Sequence, residues 1–69
     1  MRKLRSVDEV IDICGGTYEV ASWLGVTPQT VSGWRLKTIA ARHYLVMMAE
    51  LNKIGCTASP TLWGIRVAA

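Results

Sequence analysis

The sequence predicts a small all-α domain of four to five helices, with an apolar C-terminal tail that forms a short helix or a strand. Three observations carry that prediction. Apolar residues recur at helical spacing, as in Val7, Ile11 and Cys14 or Val31 and Trp34. Glycines fall where these patterns stop, at Gly15-Gly16, Gly25 and Gly55. The chain has 69 residues, which suits one domain with one small core, and 51% of them are hydrophobic.

Residues 1–5 read as a loose basic arm. Such an arm can reach phosphates or a minor groove, and simple fraying is the blander reading. Residues 6–14 read as the first helix, because Ser6 and Glu9 have capping-box spacing and Asp8 suits a helix N-terminus. Leu4, Val7, Ile11 and Cys14 fall on its apolar side, with Val10 beside them, and Asp8, Glu9 and Asp12 on the wet side. Gly15-Gly16 ends it.

Residues 17–36 read as two helices joined by a tight turn. Val20, Ala21 and Leu24 give the first helix an apolar side, and Ala21 is small where two crossing axes must approach. Gly25 sits where the chain reverses, and a left-handed backbone costs glycine little. Thr27 supplies an N-cap oxygen, and Pro28 follows at the first helical position, where its missing N–H is harmless. Val31 and Trp34 bury the second helix. Its other side offers Gln29, Thr30, Ser32 and Gly33, a short polar face of a kind that can lie in a DNA major groove.

After Lys37-Thr38, residues 40–53 read as a further helix, with Gly55 just beyond its end. Tyr44, Met47, Met48, Leu51 and Ile54 mark its apolar stripe, and Leu45 and Ala49 widen it. A stripe that wide either fills the core or leaves part of itself for a second copy. In residues 56–69, Ser59-Pro60 has the form of an N-cap and first-turn proline, while Gly64-Ile65-Arg66-Val67 alternates partly like a strand. Leu62, Trp63, Ile65 and Val67 make this tail apolar, so it either docks on a second subunit or closes the monomer core.

Ala21, Gly25, Val31 and Trp34, at their spacing, resemble the helix-turn-helix of phage Cro-like and related lambda-repressor-like DNA-binding proteins. Gly15-Gly16 before them and Ile39-Ala40-Ala41-Arg42-His43-Tyr44 after them are similar to small phage and prophage Cro-type regulators, with Ala40 where proline is common. The resemblance covers roughly residues 7–54. It implies a lambda-repressor-like fold and a sequence-specific transcriptional regulator that binds double-stranded DNA, with the recognition helix at about residues 28–36. The bases would be met by Thr27, Pro28, Gln29, Thr30, Ser32 and Gly33. Phosphates would be met by Thr17, Tyr18, Arg35, Lys37, Arg42 and His43. For Tyr18 a partly buried aromatic, and for His43 a solvated one, are the alternatives. A homodimer on a palindromic operator is expected, with Leu62, Trp63, Ile65 and Val67 at its interface.

The formal net charge of +3 does not by itself identify nucleic acid. Its distribution says more, because Arg35, Lys37 and Arg42 follow the recognition helix with no acid among them, whereas Asp8, Glu9, Asp12 and Glu19 come earlier. Cys14 and Cys56 have neither metal nor redox spacing and read as small buried groups in a reducing cytoplasm. His43 is the single histidine, and no phosphate-cradling glycine loop is present. No enzyme, cofactor, metal, membrane span or small-molecule substrate is expected. The competing reading is a small protein-interaction module, an inhibitor or adaptor, that presents Trp23, Tyr44 and Trp63.

Overall fold

The computed structural model describes residues 1–66, and Val67 lies outside that span. The elements run β1 (Arg2–Leu4), α1 (Val7–Ile13), α2 (Thr17–Leu24), α3 (Pro28–Trp34), a 3₁₀ turn at Ala41–His43, α4 (Tyr44–Lys53), β2 (Cys56–Ala58) and a second 3₁₀ turn at Pro60–Trp63. The domain is mostly helical, but the all-α expectation is corrected by a short parallel sheet. In it Arg2 pairs with Cys56, Lys3 with Thr57 and Leu4 with Ala58. No helix among the described residues is long and apolar enough to cross a membrane.

The first residues are therefore not a fraying arm. Leu4 is completely buried, and Cys56 and Ala58 are buried on the strand beside it. The Arg2 N–H donates to the Gly55 carbonyl at 2.9 Å. Leu4 reaches the core from a strand rather than from the side of α1.

Local chemistry explains the helices. Ser6 caps α1 by accepting from the Glu9 N–H at 3.2 Å. The Glu9 carboxylate reaches back to the Arg5 N–H at 3.3 Å, one residue before the usual partner in a capping box. Gly25 has a φ of 73°, and the Val26 N–H closes back onto the Ala21 carbonyl at 3.0 Å. That six-residue closure is a Schellman end, which sets the turn between α2 and α3. Thr27 accepts from the Thr30 N–H at 3.2 Å, with Pro28 at the first position of α3.

The helix α3 stops at Trp34, two residues before its expected end. The N–H groups of Arg35, Leu36 and Lys37 bond three residues back at 3.1–3.2 Å, so the chain tightens, and Leu36 is left 91% exposed. Gly33 in the last turn weakens helix propagation there. The helix expected over residues 40–53 is instead a 3₁₀ turn followed by α4.

The core joins Val20, Ala21, Val31 and Trp34 of the helix pair to Val7, Val10 and Ile11 of α1, to Ile39, and to Met47 and Leu51 of α4. Trp63 belongs to it, at 1% exposure. Its indole N–H donates to the Met47 sulfur at 3.5 Å, and the Tyr44 ring meets it edge-on at 5.2 Å. Assignment of Trp63 to a dimer interface is therefore corrected: the Ser59-capped turn closes the monomer over its own core. Leu62 and Ile65 are partly buried against that core.

Candidate functional site

The Gly25 turn joins α2 to α3, and both helices pack on the core from one side. Val20 and Ala21 of α2 and Val31 and Trp34 of α3 are buried in the core, so the opposite faces are turned outwards. Between the N-terminal ends of the two helices lies an open groove of ≈ 380 Å³, lined by Thr17, Tyr18, Pro28, Gln29 and Ser32. Sequence reading singled out all five. Gln29 and Ser32, one helical turn apart, are both exposed. Thr30 is exposed too, but its hydroxyl lies 2.9 Å from that of Thr27, so each has a partner within the cap. Gly33 is half-buried, and a Cβ there would meet nothing within 4 Å. The fold itself thus does not require glycine at this position.

Tyr18 is 79% exposed, which removes the reading as a partly buried aromatic. It stands in the first turn of α2 with its ring in water. Among the described residues, exposed aromatic area of this size beside polar side chains is concentrated at this groove; Trp23, at 38%, lies elsewhere.

The expected phosphate residues divide. Lys37 and Arg42 are exposed. Arg35 is not free: its guanidinium meets Asp8 at 2.7 Å and Asp12 at 2.9 Å, and it donates to the Thr17 hydroxyl at 3.2 Å. The bonds to Asp8 and then Asp12 hold its pKa above the ordinary arginine value. Sequence reading missed this cluster because the acids lie on α1. The available signal was Asp8 and Asp12 at i and i+4, which places two carboxylates on one side of a helix.

His43 is half-buried rather than solvated. Its ring tilts against Trp34 with centroids 5.5 Å apart, and the Arg42 Nε–H donates to its Nε2 at 3.4 Å. Burial first, and then the Arg42 charge, hold its pKa below the ordinary value. The shift favours the neutral ring, which packs on Trp34 and accepts from Arg42.

On another face Cys14, Glu19, Trp23 and Glu50 line a recess of ≈ 230 Å³. Burial, followed by Glu50 and Cys56, pushes the Cys14 thiol up to about 11. A thiol that stays protonated at neutral pH is a poor nucleophile.

Compared with known proteins, the chain matches no family model, no curated protein and no solved structure at a significant level.

Proposed function

We propose that this chain is a sequence-specific regulator that binds double-stranded DNA, of the Cro type, with α3 as the recognition helix. The observation that carries the reading is the groove between α2 and α3. There Gln29 and Ser32 are exposed on a helix anchored from behind by Val31 and Trp34, with Thr17 and Tyr18 on its flank. A short helix with an apolar back and small polar front matches the demands of the major groove.

Gln29 and Ser32 would read base edges. The Gln29 amide can accept and donate at once, as adenine N6 and N7 require. Thr27, Pro28, Thr30 and Gly33 would lie along the groove wall. The hydroxyls of Thr17 and Tyr18 would take phosphates on one side, with Lys37 and Arg42 on the other. Arg35 leaves this set because its charge is already matched. Recognition by one short helix covers few base pairs, so two copies on a palindrome remain part of the proposal. Their contact would draw on Leu45 and Val46 of α4, 79% and 45% exposed, rather than on Trp63.

A second reading, a protein-interaction module, is favoured by those same exposed residues together with Leu36. Selection of duplexes from a random pool, followed by binding across a salt series, separates the two. The DNA reading expects an enriched sequence and an affinity that falls steeply with salt. No enrichment, with salt-insensitive capture of a protein, would favour the module.

A further inference from the structure

Arg35 stands where α1 meets the candidate interface. Its Nη1 donates to Asp8 at 2.7 Å, and its Nη2 donates to Asp12 at 2.9 Å and to Thr17 Oγ1 at 3.2 Å. That same Thr17 lines the groove beside Gln29 and Ser32. The guanidinium is thus one hydroxyl away from the surface proposed to meet DNA. Asp8 and Asp12 lie one turn apart on α1, so their carboxylates meet the two terminal nitrogens of one guanidinium. Their side chains are 61% and 66% exposed, whereas that of Arg35 is 26% exposed. The cluster of two acids and one base is net negative, and its negative members face the solvent.

A network of close ion pairs on a largely covered guanidinium can add to stability, but a single carboxylate would already match the charge. The consequence is larger for a polyanion. Sequence-independent affinity for DNA is set by how many phosphates the protein neutralises. A cation beside the groove that is held by two carboxylates is subtracted from that number, and the surplus acid repels the backbone.

We propose that Asp8 and Asp12 withhold Arg35 from the DNA backbone, and so keep the sequence-independent part of the affinity low. The proposal rests on the DNA-binding reading of the α2–α3 groove. It assigns α1 a role in binding without any base contact.

The test uses the full chain, its selected operator and a random-sequence duplex of equal length. In D8N/D12N, both carboxylates become amides of the same shape, and Arg35 is released. Affinity for both duplexes should rise together by roughly tenfold at about 0.1 M salt, and the salt slope should steepen by about one, the effect of one added phosphate contact. Base preference should not change. D8N/D12N/R35Q should lose the steeper slope and keep only the smaller gain that comes from removing the acids' repulsion. The single variant D12N keeps the Asp8 pair and removes the surplus acid, so it should show the smaller gain from lost repulsion, which preserves the test if the double variant unfolds. A folded D8N/D12N or D12N with unchanged affinity and slope, beside a wild type that does select an operator, overturns this inference alone. A wild type that binds neither duplex overturns the DNA reading and this inference together.

Discussion

The α2–α3 pair takes its shape from bonds between near neighbours, whereas β1, β2 and the Pro60–Trp63 turn are joined by contacts between distant parts of the chain. In the pair, Gly25, the Thr27 cap and Pro28 set the geometry within a few residues. In the other layer, Leu4 lies beside Ala58, the Ile39 N–H donates to the Leu62 carbonyl at 2.9 Å, and Trp63 lies against Met47 and Tyr44. The first region buries one side and leaves polar groups in water. The second supplies the completely buried Leu4 and the nearly buried Trp63. Presentation and stability are therefore carried by different residues, and substitutions should separate them.

Trp63→Ala should have the largest effect. Removing a buried tryptophan costs about 3–5 kcal/mol, comparable to what a core of this size supplies in total. Circular dichroism and urea titration should show a chain that is largely unfolded. A folded Trp63→Ala protein with weakened self-association would return this residue to a dimer surface.

Gly33→Ala acts on the other region and in the opposite direction. A Cβ meets nothing within 4 Å there, so alanine should stabilise α3 by up to about 1 kcal/mol. If the DNA backbone or bases approach this residue closely, operator affinity should fall while the melting temperature rises. Affinity that rises with stability would place the DNA away from Gly33.

A smaller effect on the α2–α3 pair comes through pH. His43 packs on Trp34 with its pKa held below 6.5 by burial and Arg42. The unfolded chain then binds a proton that the folded chain resists, so stability should fall as pH drops from 6.5 toward the folded value. Replacing His43 with Gln should flatten the melting curve against pH across that interval. An unaltered slope would mean that other groups carry the dependence.

The same contrast explains what could be read from the sequence. Ser6, Gly25, Thr27, Pro28 and Ser59 act within three or four residues of themselves, and each was legible. Thr17, Tyr18, Pro28, Gln29 and Ser32 follow from that helix pair, and the structure brings them around one groove. The sheet was not legible, because strands of three residues are too short to show an alternating pattern and their pairing is non-local. Trp63 was apolar in a weakly charged tail, and composition alone does not tell a core residue from an interface one. The engagement of Arg35 was hidden for a similar reason. Its neighbours in sequence are not acidic, while its neighbours in space, Asp8 and Asp12, belong to α1.

If α3 presents a base-reading face independent of the core behind it, Gln29→Ala should change recognition without changing stability. Gln29 is exposed, so its loss should leave the urea midpoint unchanged. Duplex selection with wild type and variant should show relaxed preference at one base position, and binding to the wild-type operator should weaken by about 1–3 kcal/mol. Random-sequence affinity should stay the same. An identical selected sequence and identical operator affinity in a folded Gln29→Ala protein would mean that this face of α3 does not read bases.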